Sequence, residues 1–596
     1  MSIKSNECVT SSPDSRSAPL TPEIEALLAR VQRPGRYVGG EFNARRKPQA
    51  GPRVVLSYPD VYEIGISNPA LQILYTYLND ATPATAERAY CPWPDMADAM
   101  RAADVPLWSL ETFAPVGACD LWGFTLPHEL AYTNVLEMLD LARVPLRAAE
   151  RGDGDPIVLG GGPAAANPWP VAGFFDAFFI GEVEDHLDAI ATALTVGARG
   201  ERLNALAAIP GMWLPNVSAA PAQRQVFMGF AAAAPVVRPV VPVLEAVHDR
   251  AVIEVMRGCT AGCRFCQAGM WYRPLRERPV DLVVAAADQL LDETGCDEVS
   301  LLSLSSCDYS GIESALTRIR RLRPGVRVSL PSLRIDAAAS NLARFAAEQR
   351  GSLTLAPEAG TQRLRDAINK GVDATQFEEA VRATFSGGFS GLKLYFMIGL
   401  PGESDDDVLG IARMAERAQS LGRELGRGRA RVAVSVSSYI PKPHTPFESE
   451  SFAGAETLRR RQQLVRAAAP RGVKVAFHDI EASLVEATLA RAGEGSDRLV
   501  EDAWRRGARF DGWSEHFAFA AWNDAAEALG LELGEPAFLN IEEPDWRRAV
   551  DALLTPEFFS EELEHSRDAV LTPDCRDGRC SVCGVCGDGI AMEVLA

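Results

Sequence analysis

The sequence predicts an α/β protein with three parts: a Rossmann-like, doubly wound N-terminal domain, a partial (β/α)6 barrel of the TIM type, and a helical, cysteine-rich C-terminal extension. Three observations lead to this fold class. Strand-like and helix-like segments alternate through the first third of the chain, with glycine turns after two of the strands. The alternation restarts with longer units near residue 250, and four cysteines crowd into residues 575–586.

Composition sets the broad class. The chain has 596 residues, 47% hydrophobic and 23% charged, which is ordinary for a globular protein of several domains. The net charge of −20 argues against broad binding to nucleic acid, whose affinity rests on neutralising phosphates. The most apolar stretch, residues 226–244, contains Arg238 and three prolines, so a membrane-spanning helix is not predicted. The first 15 residues lack the apolar core of a signal peptide, and we expect a cytoplasmic protein.

The breaks in this pattern predict six regions. They are an N-terminal tail and helix (1–50), a doubly wound, Rossmann-like domain (51–217), a linker (218–245), the partial barrel (246–470), a helical region (471–568) and the cysteine-rich tail (569–596).

The doubly wound region is predicted from its elements in order. Strands are expected at residues 53–57, 121–125, 157–159 and 177–180, and helices at residues 70–78 and 129–142. Ligands of such sheets bind beyond the carboxyl ends of the strands, where glycines allow close approach of the backbone. Gly161 and Gly162, directly after the third predicted strand, are therefore candidate ligand contacts.

The barrel is predicted from six strand–helix units, fewer than the eight of a closed barrel. The strands are expected at residues 252–255, 298–304, 326–330, 352–356, 392–398 and 431–437. The helices are expected at residues 281–293, 312–322, 342–350, 362–369, 405–420 and 456–468.

Three cysteines follow the first barrel strand with the spacing C-x3-C-x2-C. Cys259, Cys263 and Cys266 are the predicted ligands of three irons of a [4Fe–4S] cluster, whose fourth iron is left for another molecule. Zinc is the alternative, but it normally needs a fourth Cys or His close by, and apart from the motif cysteines only Cys296 lies between Thr260 and Val299.

The tail contains a second group of thiols. Cys575, Cys580, Cys583 and Cys586 lie within twelve residues, which is a strong metal signal. The candidates are a second [4Fe–4S] cluster and a structural zinc. The tight C-x2-C-x2-C run favours iron–sulfur, since zinc usually joins two separated knuckles.

With Phe265 as the aromatic residue, the motif C-x3-C-x-aromatic-C resembles the signature of the radical SAM superfamily. The resemblance extends over residues 30–590 and is strongest between 250 and 445. It implies an enzyme in which S-adenosylmethionine binds the open iron and is cleaved by one electron to a 5′-deoxyadenosyl radical. That radical would abstract hydrogen from a substrate the sequence does not identify. A reductant such as flavodoxin or ferredoxin is implied as partner.

Further segments match the superfamily strand by strand. Ser305 lies where related enzymes contact the methionine amino group, although the usual Gly-Gly-Glu is absent. Glu358 belongs to a segment resembling E-x-G-x(n)-N-K-G and is the candidate for the ribose hydroxyls. Gly399 and Pro401 belong to a G-L-P-G-E element that lies beside the adenine. His444 lies in a P-x-x-x-T-P-like element, where a plain loop role is favoured over contact with substrate.

The N-terminal region resembles the cobalamin-binding domain found in part of this superfamily, where Gly161 and Gly162 would contact the corrin or the nucleotide tail. Asp60 and Gly65 keep the frame of the motif D-x-H-x-x-G, but Tyr62 replaces its histidine. Either cobalamin binds without a protein ligand or the domain has lost it. Two alternatives to hydrogen abstraction follow: cobalamin-dependent methyl transfer or methylthio transfer, and a non-catalytic iron–sulfur redox protein.

Overall fold

We analysed a computed structural model, which describes residues 19–48, 50–247, 249–330, 352–425, 430–539 and 543–595. The fold is mixed α/β with parallel sheets. The N-terminal sheet has the strand order β2-β1-β3-β4-β5-β6, in which β6 alone is antiparallel. Its strands are β1 (Arg53–Tyr58), β2 (Thr85–Tyr90), β3 (Leu121–Thr125), β4 (Ile157–Gly161), β5 (Ala177–Phe179) and β6 (Met212–Trp213).

Both faces of this sheet are buried. Successive residues of a strand point to opposite faces, and Val55 and Trp122 belong to one apolar cluster whereas Val54 and Leu121 belong to another. Covered parallel strands read as continuous apolar runs, as β1 does. The helices of this half of the chain are Pro22–Leu28, Tyr62–Gly65, Pro69–Ala81, Pro94–Ala103, Tyr132–Leu141, Leu187–Ala193 and Arg199–Ala207.

Strand β2 was not predicted because charged residues interrupt its apolar pattern. The structure buries those charges as ion pairs. Glu87 accepts from Arg53 at 2.8 Å, and Arg88 pairs with Glu111 at 2.6 Å and with Glu41 at 3.0 Å. Buried charges are tolerated only when paired in this way.

The second half of the chain forms two parallel sheets. One has the order β12-β11-β8 and the other β13-β14-β15-β16, and two short pairs, β9–β10 and β7–β17, complete the strands. The strands are β7 (Ala222–Gln223), β8 (Ala251–Glu254), β9 (Met256–Arg257), β10 (Arg276–Glu277), β11 (Glu298–Leu302), β12 (Arg327–Ser329), β13 (Ser352–Glu358), β14 (Gly391–Ile398), β15 (Arg431–Ser438), β16 (Lys474–Phe477) and β17 (Val550–Asp551).

The two faces of strand β14 differ in burial. Leu394 and Phe396 belong to the apolar cluster that contains residues of the helices Ala374–Ser386 and Asp405–Glu424, whereas the alternate residues Lys393 and Tyr395 are partly exposed on the other face. This other face, here called the inner face, is therefore accessible along β14. The helices are Gln267–Trp271, Val280–Thr294, Ile312–Leu322, Gln362–Ala367, Ala374–Ser386, Asp405–Glu424 and Ala455–Ala468.

Two elements differ from the expectations. β16 pairs with β15, so the boundary predicted at residue 470 falls before the last strand of the sheet. Its four residues are too few to show a period in the sequence. The helix Ala374–Ser386 is additional. The helix predicted at 342–350 and the segment Pro331–Arg334 after the third predicted strand lie outside the described residues.

The C-terminal helices return to the N-terminal sheet. Asp511 accepts from Thr133 at 2.6 Å, and Trp513 donates to Asp60 at 3.0 Å, beyond the carboxyl end of β1. The helices are Ile480–Ala490, Asp497–Arg505, Phe519–Ala528, Asp545–Ala549 and Pro556–Arg567. No helix within the described ranges has the length and apolar content needed to cross a bilayer.

Candidate functional site

The three cysteines of the central motif lie on one loop after β9, and all three are half-buried. Gly258 makes the entry to this loop with φ +89°, because a Cβ there would meet the carbonyl oxygen of Pro274 at 2.4 Å. Cys266 begins the helix Gln267–Trp271, and its Sγ accepts the Gly269 amide at 3.3 Å. Burial, together with the neighbouring thiol of Cys263, raises the pKa of Cys266 to about 12. Its thiolate therefore needs a cation such as a metal beside it.

The donor set of this loop consists of thiols. Within the described residues, no three His, Cys, Asp or Glu side chains are gathered as ligands of one metal ion. In a cubane cluster each thiolate binds a different iron. Three thiols on one loop, electrostatically coupled to one another, suit the donor chemistry of a [4Fe–4S] cluster.

Arg264, within the motif, attaches the loop to two distant segments. Its buried guanidinium donates to Glu562 at 2.8 Å, to the carbonyl of Ala367 at 2.8 Å and to the carbonyl of Val570 at 2.8 Å. The loop is thereby held between the segment after the helix Gln362–Ala367 and the last helix of the chain.

The E-x-G…N-K-G segment also meets the loop. Asn369 donates to the carbonyls of Ala261 and Gly262 at 3.2 and 3.1 Å. Its neighbour Lys370 donates to Glu358 at 3.3 Å. Glu358 has φ +68°, a conformation uncommon for a residue with a Cβ. The candidate ribose ligand is therefore held next to the cysteine loop, in a backbone conformation typical of functional positions.

Phe265 and the G-L-P-G-E turn belong to the same neighbourhood. Phe265 packs against the apolar cluster that contains Leu400. Gly399 has φ +91° and donates its amide to Glu403 at 2.7 Å, and Pro401 is half-buried in the turn. Burial raises the pKa of Glu403 to about 7, against the opposing charge of Arg461 at 2.8 Å.

Ser305 lies just beyond the carboxyl end of β11, the neighbour of β8. The residue is 1% exposed, and within the described part of the chain its Oγ has no hydrogen-bond partner. Leaving a buried hydroxyl unpaired costs about 1–3 kcal/mol. Such a group is suited to a polar ligand, as expected for the methionine contact.

Gly161 and Gly162, at the end of β4, lie where two chain segments approach each other closely. The carbonyl of Gly161 accepts the Leu126 amide at 2.7 Å. Gly162 has φ +94°, and a Cβ there would meet the Leu126 oxygen at 3.0 Å. The Tyr62 hydroxyl is buried and accepts the amide of Val243 at 3.2 Å. Tyr62 therefore faces the linker, and its position provides no ligand for cobalt.

His444 packs between the helix that follows the cysteine loop and the N-terminal region, with its ring centroid 5.8 Å from that of Trp271. It is buried, and its Nε2 lies 2.9 Å from the carbonyl oxygen of Ala166 in the N-terminal region. Burial lowers the pKa of His444 to about 4, so the ring is neutral at pH 7. This geometry fits the loop role favoured from the sequence.

The cysteine-rich tail packs against the same neighbourhood. Thr572 donates its amide to Asn369 at 2.9 Å, and Asp574 accepts a hydrogen bond from Thr260, the residue after Cys259. Within the tail, Cys583 is buried, Cys575 is half-buried, and Cys580 and Cys586 are exposed. The two cysteine groups are thus joined through short segments.

Sequence analysis missed the arginines that surround these loops. Arg264 and Arg273 flank the helix that follows the motif, and both are buried, as is Arg224. The one available signal was an arginine placed between Cys263 and Phe265, where a charge needs a buried partner. Its partner Glu562 is 298 residues away, so no local pattern could identify it.

Two family models match the chain. The model of the N-terminal region of radical SAM proteins matches residues 70–215, and the model of the radical SAM superfamily matches residues 253–415. The uncharacterised protein MJ0966 of Methanocaldococcus jannaschii is 26% identical over 454 residues, 75% of this chain and 90% of that protein. The threonylcarbamoyladenosine tRNA methylthiotransferase MtaB of Treponema pallidum is 27% identical over 229 residues, 36% of this chain and 46% of that protein.

Among solved structures, one similar chain is the radical S-adenosylmethionine methyltransferase TsrM from Kitasatospora setae, with cobalamin and a [4Fe–4S] cluster bound. The TM-score is 0.52 at 15% identity, over 80% of this chain and 100% of that one. At this identity the similarity shows a shared fold.

Proposed function

Because the chain belongs to the radical SAM superfamily, we propose that it is an enzyme that cleaves S-adenosylmethionine reductively and uses the resulting radical to abstract hydrogen from a substrate. Cys259, Cys263 and Cys266 would hold the [4Fe–4S] cluster that the superfamily domain implies. When bound and reduced, the cluster supplies the single electron for this cleavage.

One observation carries the proposal: two separate motifs, the E-x-G…N-K-G segment and the G-L-P-G-E turn, meet at the cysteine loop. Asn369 binds the loop backbone, Lys370 orients Glu358 beside it, and Phe265 packs under the turn that begins at Gly399. An electron carrier needs no such group of nucleoside-binding elements, so this meeting argues against the redox-protein alternative.

The residues have distinct roles in this proposal. The Glu358 carboxylate accepts hydrogen bonds from the ribose hydroxyls, with Lys370 fixing its orientation at 3.3 Å. The Ser305 hydroxyl pairs with the methionine part of the nucleotide, which satisfies its unpaired Oγ. Gly399 and Pro401 shape the turn against the adenine, where a backbone with φ +91° allows close approach.

The substrate would bind on the inner face of the two parallel sheets. That face carries Lys393 and Tyr395, whose side chains meet at 2.8 Å and are partly exposed. Closing such a face over the substrate excludes water from a reactive radical. A one-electron reductant of the flavodoxin or ferredoxin class completes the reaction.

Reductive cleavage of S-adenosylmethionine by anaerobically reconstituted protein is the test. Reduced wild-type protein is expected to form 5′-deoxyadenosine and methionine, and Cys263→Ala is expected to form neither, because it removes one of three cluster ligands. Cys296→Ala is the matched control: it is also half-buried but lies outside the motif. Undiminished cleavage by Cys263→Ala would refute the proposal.

Methyl transfer with cobalamin is the second candidate, supported by the fold shared with TsrM. The residues at the N-terminal sheet do not provide a lower ligand, since Tyr62 is held by the Val243 amide and Asp60 by Trp513. If this candidate is correct, the purified protein binds hydroxocobalamin without a protein ligand to cobalt, and the absorption spectrum of the isolated complex shows the bound corrin.

A further inference from the structure

Two buried arginines beside the tail have no carboxylate partner among the described residues. Arg224 is 1% exposed and Arg273 is 5% exposed. Arg224 donates to the carbonyls of Ala552 and Arg273 at 3.2 and 3.1 Å, but its Nη1 has no partner. On Arg273, both Nε and Nη1 are buried and unpaired.

A buried guanidinium with unpaired N–H groups is costly in free energy unless an anion lies beside it. A buried cation without a counter-ion carries a desolvation penalty of several kcal/mol, and a guanidinium does not lose its proton to avoid this cost. Arg264 and Arg276, also buried near the motif, have ion-pair partners in Glu562 and Glu182. Arg224 lies near the charges of Glu182 and Asp551 but forms no ion pair within the described residues. The unpaired N–H groups of Arg224 and Arg273 are therefore places where an anion can be bound.

The tail thiols lie where that anion is needed. The guanidinium of Arg273 stands 5.3 Å from the ring centroid of Phe558, and Phe558 packs in the same apolar cluster as Cys583. Arg224 donates to the carbonyl of Ala552, three residues before Thr555, whose amide donates to the carbonyl of Cys583 at 3.1 Å. Neutral thiols carry no charge, whereas thiolates bound to a metal centre do.

We propose that Cys575, Cys580, Cys583 and Cys586 bind a second [4Fe–4S] cluster, and that Arg224 and Arg273 neutralise its negative charge. An oxidised cubane with four thiolates has a net charge of about −2, which two guanidinium groups balance. This inference concerns a second site and does not depend on the proposed function of the first.

Iron–sulfur fits this site better than zinc because of the spacing of its cysteines. The spacing from Cys580 to Cys586 is the C-x2-C-x2-C run of bacterial ferredoxins, whereas structural zinc usually joins two separated knuckles.

The second cluster would lie next to the first cysteine loop. A Cβ on Gly262 would stand 3.4 Å from Nη2 of Arg273, so this arginine lies between the two cysteine groups. Arg576 of the tail donates to the carbonyl of Asp308, in the loop that begins at Ser305, at 3.1 Å.

Metal content distinguishes the two sites. After anaerobic reconstitution we expect about eight irons and eight sulfides per wild-type chain, and about four in the triple variant C259A/C263A/C266A. The tail variant C580A/C586A is also expected to keep about four, and it replaces two exposed cysteines, so folding should be retained. A wild-type chain with about four irons, or with one zinc in the tail, would overturn the second cluster. Iron loss in the triple variant tests the first site separately.

Redox titration followed by electron paramagnetic resonance tests the arginines. Removing a positive charge beside a cluster makes its reduction harder, so Arg273→Met is expected to lower the reduction equilibrium constant of the tail cluster about tenfold, or about 59 mV for one electron. Measuring this in the triple variant isolates the tail signal. Arg460→Met, an exposed arginine paired with Asp405 on the barrel surface, is the control. A potential equal to that of the control would refute the role of Arg273.

Discussion

Replacing Arg264 with methionine tests whether the cysteine loop is held in place by its distant partners. The side chain is fully buried, and it donates to Glu562 and to carbonyls on two segments, including those of Ala367 and Val570. Methionine has a similar length and is apolar, so it fills the space without replacing any of these hydrogen bonds.

The cost follows from the partner that is left behind. Glu562 is 3% exposed and would keep its hydrogen bond from Thr572 at 2.6 Å, but it would lose its counter-ion. Breaking a buried ion pair by removing one partner costs about 3–5 kcal/mol. The orphaned carbonyls of Ala367 and Val570 add to this, and we expect a loss of unfolding free energy of about 4 kcal/mol.

Urea unfolding followed by circular dichroism measures this loss, and iron content after reconstitution shows whether the loop still binds its cluster. The double variant Arg264→Met/Glu562→Met should recover much of the stability, because replacing both members of a buried pair is often close to neutral. Arg460→Met, whose ion pair is about half-exposed, should cost less than about 1 kcal/mol. The reasoning fails if Arg264→Met unfolds like this control.

Two further predictions concern single side chains. Ser305→Ala removes a buried unpaired hydroxyl, so we expect stability in urea to be unchanged or slightly higher. Binding of S-adenosylmethionine, measured by calorimetry, should be about fivefold weaker, the equivalent of about 1 kcal/mol. Equal affinity would exclude the contact. The pKa of His444 near 4 lies below its ordinary value of 6.5, so the unfolded chain binds more protons between these values and stability falls as pH drops from 6.5 to 4. The loss of unfolding free energy amounts to about 3 kcal/mol. Unfolding measured at pH 7 and at pH 4.5 should show this loss in the wild-type protein and not in His444→Gln. An equal pH dependence in the variant would contradict the buried neutral ring.

The family and the parallel α/β architecture could be predicted from the sequence, and both are confirmed. Six strands of the second half, β8 and β11 to β15, were predicted to within about two residues, because parallel strands alternate clearly with amphipathic helices there. Strand β14, predicted at 392–398, is observed at Gly391–Ile398. The roles of the cysteines and of Glu358 stay predictions.

Elements stabilised by distant partners could not be predicted. The pattern of β2 is hidden by Glu87 and Arg88, whose partners Arg53 and Glu111 lie on other segments. Arg224 and Arg273 were also missed, because the burial of a cation leaves no trace in the local sequence. A periodic pattern reports neither the pairing of distant charges nor their burial.

The contacts between tail and loop also make the two cysteine groups interdependent. Asn369 binds the backbone of the first loop with its amide nitrogen and accepts the Thr572 amide with its oxygen, so one side chain joins both segments. Asp574 adds a second link through Thr260. A metal centre that orders the tail therefore lowers the free-energy cost of ordering the first cysteine loop. Because such coupling is reciprocal, a filled first site must stabilise the tail by the same free energy.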